Sequence, residues 1–388
     1  MHHQERTEKM INTTTHRRSA LAGLTALLAL TLAALACSPT GGPAVTSAPV
    51  NTKTAGETET SAVTESASTA TEASTTEAAS AGGEITTGNA ADLVALRTID
   101  ASTGWISGLS FSPVDHTVAT FGLGRSVDVW DADTGKLSKH LGTQADWGLG
   151  LAFSPDAAYL ASGATGGDVV IWDMSKKTRL AGVVAPPSRV YDLEWSPDSK
   201  RFSVVGQESS HLLVFGATGT KIQDIKTSGG WLWSTAWSKD FLAASNDAAK
   251  KIFVFDATSY AGVTQVDTPA PAGELDFSPD GKYMVGCFRT DGSVHVWDTS
   301  NWTEVNSWTA HPSKGNAQGC IAGDFSKDGT VYFTGGDDGN LNVWDVKTGT
   351  QLNSFTYGKM VWKISVSGDG TLVAAGLDDG SVQIIGLK

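Results

Sequence analysis

From about residue 94 onward the chain breaks into short apolar runs separated by clusters of Gly, Asp, Asn, Ser and Pro. The runs are rich in β-branched and aromatic residues, as in Val127 to Trp130 and Leu341 to Trp344. No stretch holds the 3.6-residue period of an amphipathic helix. Alternating runs with turn residues between them predict strands joined by tight hairpins. The runs also repeat. An aromatic-Ser pair stands at Phe111-Ser112, Phe153-Ser154, Trp195-Ser196, Trp237-Ser238, Phe277-Ser278 and Phe325-Ser326, and as Val366-Ser367 in the last unit. The intervals are 42, 42, 42, 40, 48 and 41 residues. Turn residues follow the pair, as in Pro155-Asp156, Pro279-Asp280-Gly281 and Asp369-Gly370. A second strand ending comes about 19 residues later, at Trp130-Asp131, Trp172-Asp173, Phe215-Gly216, Phe255-Asp256, Trp297-Asp298, Trp344-Asp345 and Ile385-Gly386.

Phe277-Ser-Pro-Asp-Gly281, Gly336-Asp-Asp-Gly339 and the four Trp-Asp pairs resemble the WD-repeat family. The resemblance covers about three-quarters of the chain and implies an all-β propeller of four-stranded blades around a channel. Seven aromatic-Ser positions give seven blades. The last repeat stops after its third strand, and a spare strand, Ala95 to Ile99, precedes the first. Pairing the two closes the ring and hides an edge. Blades three, four and seven lack Trp-Asp, and only His311 stands near the family's usual histidine. The side-chain hydrogen-bond network of that family is therefore expected to be incomplete.

The first 92 residues contain no Trp, whereas all 13 lie after position 104. Arg17 and Arg18 precede an apolar run from Ala20 to Ala36, the pattern of a secretory signal peptide over 1–36. Met10 offers a second start ahead of it. Ala34-Leu35-Ala36-Cys37 resembles a bacterial lipobox, with Ala34 where Leu is usual. That resemblance implies lipidation of Cys37. Residues 37–92 are Ser, Thr, Ala, Gly and Glu with few large apolar side chains, which predicts a disordered tether. The body is then 93–388.

The net charge of −13 disfavours phosphate backbones, so nucleic acid is not an expected partner. Three cysteines are too few for a disulfide framework. Cys287 and Cys320 fall in apolar strands and read first as small core residues. A pair between them is the alternative in an oxidising compartment, without support from spacing.

No catalytic motif occurs: there is no His-Glu-x-x-His, Gly-x-Ser-x-Gly or phosphate loop. The five histidines of the body (116, 140, 211, 295 and 311) lack metal-ligand spacing. No metal or cofactor is expected. The candidate surface comes from register. Six residues before each aromatic stand Trp105, Trp147, Arg189, Trp231, Pro271, Gly319 and Met360. The resemblance places this position on the channel rim. Trp233, Trp362 and Tyr191, four before their aromatics, extend it. Trp and Arg are the residues of interface hot spots; packing between blades is the alternative for these side chains. The binding candidates are Trp105, Trp147, Arg189, Trp231, Met360 and Trp362.

The expected function is a lipid-anchored, extracytoplasmic, non-catalytic scaffold of the cell envelope that binds protein or peptide. A receptor for envelope carbohydrate or a small ligand is the alternative. A propeller enzyme of lactonase or quinoprotein type ranks below both. A closed ring leaves no edge demanding a second subunit, so a monomer is expected.

Overall fold

A computed structural model describes residues 82–388 apart from 103, 185–188, 208–209 and 313–317. The signal segment, Cys37 and most of the expected tether lie outside the described residues. Seven four-stranded antiparallel sheets follow one another as blades. The inner strands are Ile106–Phe111, Gly148–Phe153, Arg189–Trp195, Leu232–Trp237, Ala272–Phe277, Cys320–Phe325 and Val361–Val366. In blades one to six the chain runs outward strand by strand. The seventh is composite: Val94–Asp100 pairs with Ser381–Gly386 as its outer strand. Thr98 faces Gln383 in that ladder, and the Thr98 hydroxyl donates to Gln383 Oε1 at 2.9 Å.

The recurring Ser has a structural reason. In five of the seven blades its hydroxyl donates to the Asp two residues on and accepts the N–H five residues on. Ser154 reaches Asp156 at 2.6 Å and Tyr159 N at 2.9 Å. Ser278 does the same with Asp280 and Tyr283, at 2.7 and 3.0 Å. The motif therefore pins the hairpin between inner and second strand in those blades. The turn also needs a left-handed residue, which Gly281 supplies at φ 71° without a Cβ clash.

The core lies between blades. Trp195 is 1% exposed and donates its indole N–H to Ala152 O of the preceding blade at 3.0 Å. Among the described residues the hydrogen-bond network is complete only in blade six. Trp344 Nε1 donates to Thr334 Oγ1 at 2.8 Å, and buried His311 joins Thr334 to Asp338, at 2.9 Å each. In blade two Gln144 stands in the histidine's place on Ser162.

Two expectations need correction. Ordered chain begins before residue 93. Ile85 is fully buried with Ala90 and Leu93 against blades six and seven, and its N–H donates to Gly370 O at 2.9 Å. Residues 90–92 form a single 3-10 turn. One large apolar residue in a polar window was too sparse a signal to show this. Cys287 and Cys320 are buried, as the core reading held, but they are also joined in a disulfide with Cα atoms 5.3 Å apart. They are 33 residues apart in sequence. The second strand of blade five and the inner strand of blade six bring them side by side.

Candidate functional site at the channel mouth

Every inner strand carries a β-bulge near its start. The ladder to the second strand shifts register between Ile106 and Gly108, Gly148 and Gly150, and Val190 and Asp192. It shifts again between Leu232 and Thr235, Ala272 and Glu274, Cys320 and Ala322, and Val361 and Lys363. A bulge leaves one residue out of the ladder and re-aims its side chain. The residue skipped is the fourth before the repeat aromatic, joined in blade four by Ser234: Ser107, Leu149, Tyr191, Trp233, Gly273, Ile321 and Trp362. All seven line one basin of about 330 Å³ at the channel mouth. The bulge, repeated seven times, is what builds the basin.

Trp105, Trp147, Arg189 and Trp362 of the expected set also line it. Trp105 links two blades, with its ring centroid 5.7 Å from Trp147 in an edge contact and 6.1 Å from Trp362. Trp147 is 45% exposed. Trp231 and Met360 do not line the basin. Trp231 lies beside it, its ring centroid 6.3 Å from that of Trp233, and its backbone N–H donates to Asp247 Oδ1 at 2.6 Å. Met360 lies half-buried at the start of the last inner strand, where its carbonyl accepts from Asp378 N at 3.1 Å. The fourth position before the aromatic, not the sixth, is therefore the complete ring.

Across the mouth a second aromatic group forms. Tyr191 stacks on Trp233 at 4.3 Å and 6°. The Arg289 guanidinium lies over the same indole, 4.4 Å from its centroid, a cation–π contact. Arg289 follows the second strand of blade five and reaches the basin across Gly273. A Cβ at 273 would come within 2.9 Å of Arg289 Cγ. Sequence reading missed Arg289, because it belongs to no inner strand. Among the described residues the buried Trp233 and Trp362 indole N–H groups meet no acceptor.

The channel inside the mouth is acidic. Asp192, Glu194, Glu274, Asp276 and Asp324 stand three or one residues before their repeat aromatics, and Lys363 stands among them. Lys363 Nζ lies 2.6 Å from Glu274 Oε2 and 3.7 Å from Asp192 Oδ1. Asp192 Oδ2 also accepts from Ser234 Oγ and Thr235 N at 2.9 and 3.0 Å. Glu274 and Lys363 border both the basin and an inner cavity of about 250 Å³. Burial, aided by Asp192 and Asp276, pushes the Glu194 carboxyl up to about 8. Burial and Asp324 raise Asp276 to about 8 even though Tyr332 O–H donates to it at 2.5 Å. Burial raises Asp324 to about 6, against two backbone N–H donors. Burial opposes the Lys363 ammonium, but Glu274 and Asp192 outweigh it and raise its pKa.

Among the described residues no group of three or more His, Cys, Asp or Glu is arranged to hold a metal ion. The described geometry offers an aromatic surface with two arginines above a carboxyl-lined shaft, which suits binding. No curated protein matches the chain. The family model described as WD domain, G-beta repeat, matches residues 136–173, 249–298, 302–345 and 349–385. The fold such repeats build serves commonly as a protein-interaction scaffold. The chain therefore carries WD40 repeats in four places within a β-propeller of seven blades of one build.

Proposed function

We propose that this chain is a non-catalytic, monomeric scaffold that holds a protein or peptide at the channel mouth, tethered outside the cytoplasm by a lipidated Cys37. One observation carries the binding reading: seven bulged strands turn their fourth-position side chains into a single basin walled by Trp105, Trp147, Tyr191, Trp233 and Trp362. Half-exposed aromatic side chains in a concave site give large contact area at small entropic cost. The tethering reading rests on the signal-like run before Cys37 and on the polar segment after it. The disulfide between Cys287 and Cys320 supports the compartment, because such bonds persist where thiols are oxidised. The Ser/Thr/Ala/Glu-rich composition of residues 38–81 predicts a tether with an r.m.s. span of about 35 Å.

The test uses the full chain and a W147A/R189A variant. Both are immobilised and exposed to solubilised envelope, with circular dichroism as the check on folding. A protein retained by the parent and lost by the variant places binding at the mouth. Equal retention moves it to another face. Incorporation of labelled palmitate, lost in C37S, tests the anchor separately.

A further inference from the structure

Arg289 is a buried cation with no carboxylate in direct contact among the described residues. Among the described residues its guanidinium makes no hydrogen bond and no ion pair; it lies over the indole of Trp233, and Tyr191 and Asp337 act on it only through longer-range charge. Burial lowers its pKa to about 10, so it remains charged at neutral pH. A desolvated guanidinium costs free energy unless its donors are used, and a planar fork of five N–H groups matches a carboxylate. Lys363, the other buried cation of this region, is by contrast occupied by Glu274 and Asp192, and Arg189 stands exposed at the rim.

We infer that Arg289 is the anchor for a carboxylate presented by the bound partner, an Asp or Glu side chain set among large apolar residues of a peptide segment. The inference rests on the peptide-binding reading of the mouth and names the chemistry it selects. Three features of the basin define that chemistry. Its walls are aromatic, which favours apolar neighbours around the charge. Its floor carries Asp192 and Glu274, and the chain as a whole is acidic, which penalises a dianionic phosphate more than a single carboxylate. Its indoles are spent largely on one another and on Tyr191 and Arg289, which leaves little flat π-surface for a sugar ring. Gly273 is part of the design, because only a residue without Cβ leaves Arg289 its path over blade five.

The experiment pans a phage-displayed random heptapeptide library on the immobilised full chain. Selected peptides are synthesised in pairs differing only as Glu or Gln, or Asp or Asn. Each pair is titrated by tryptophan fluorescence against the parent, R289Q, R289K and W147A. The expected result is an acidic residue flanked by apolar ones. The Glu-to-Gln change weakens binding to the parent about 30-fold, as for loss of a buried charge partner. It has no effect on R289Q, and R289K retains part of the discrimination. Peptides that depend on Trp147 but tolerate Gln in place of Glu overturn the Arg289 assignment and leave the peptide-binding reading standing. That comparison is made on the parent, so it holds even if R289Q fails to fold. No selected peptide, or Trp147-dependent quenching by galacturonate alone, overturns both.

Discussion

Lys363 of blade seven reaches across the channel to Glu274 of blade five, with Nζ and Oε2 2.6 Å apart. The pair is a bar inside the shaft, with the basin on one side and the inner cavity on the other. Removing one partner of a buried pair leaves the other charge uncompensated, which costs about 3–5 kcal/mol. K363M is expected to lose about 3 kcal/mol at pH 8. The deficit shrinks toward pH 5, where the surrounding carboxyls hold protons. Urea unfolding at the two pH values checks both.

Glu194 contributes a cost rather than a bond. Among the described residues its carboxyl accepts no hydrogen bond, and burial beside Asp192 and Asp276 pushes it up to about 8. A carboxyl whose pKa is raised by folding binds more protons folded than unfolded, so stability falls as pH rises from about 4.5 to about 8. E194Q removes the penalty. It is expected to stabilise on the order of 2 kcal/mol at pH 8 and to be neutral at pH 4. A variant with the same pH slope as the parent refutes the assignment.

His116 contributes a bond rather than a cost at the seam, with the same pH sense. Its Nδ1 lies 2.9 Å from Asp133 of blade one and its Nε2 2.9 Å from Asp369 of blade seven. Burial disfavours the imidazolium, but hydrogen bonds to Asp369 and Asp133 outweigh it and raise the pKa. The stabilisation is full below the unfolded value of 6.5 and is lost as pH rises through the folded value. H116A is expected to cost about 1 kcal/mol at pH 6 and little at pH 9. Thermal melts of both proteins across that range measure it.

The disulfide between Cys287 and Cys320 closes a loop of 33 residues. Chain-entropy arguments give about 3–4 kcal/mol for a loop of that length. C287A/C320A is expected to lose about that much in denaturant titration. A reductant that reaches the buried bond lowers the parent toward the variant and leaves the variant unchanged.

The parts readable from sequence were those in which one residue type does one local job. Ser154 and its equivalents clamp a hairpin, and a hydrogen-bonding hydroxyl at that turn recurs with the blade. Trp195 and its equivalents fill the space between blades, so an aromatic recurs with the same period. The mouth was partly readable. Counting back from the aromatic found Trp105, Trp147 and Arg189, and noticed Tyr191, Trp233 and Trp362. The bulge that turns Leu149, Gly273 and Ile321 into the same ring leaves no mark in residue type. Glu194, Asp276 and Asp324 all stand one place before a repeat aromatic, a regularity countable in the sequence but masked by apolar neighbours. Arg289 was out of reach, because its role depends on a Gly in another strand and a Trp in another blade. The cysteine pair needed the same long-range knowledge.

Closing the ring with Val94–Asp100 has a consequence for the order of events in synthesis. The residues joined at the seam, Thr98 and Gln383, are 285 positions apart. A chain made from its N-terminus delivers the outer strand first and its partner, Ser381–Gly386, almost last. Until then the first strand has no ladder to join, and the growing array of blades is an open arc with two bare ends. Such long-range pairing is slow, and exposed strand edges invite association with other chains. The interval between the first and last strands is therefore when this protein is most vulnerable to aggregation and most dependent on being kept apart from its neighbours.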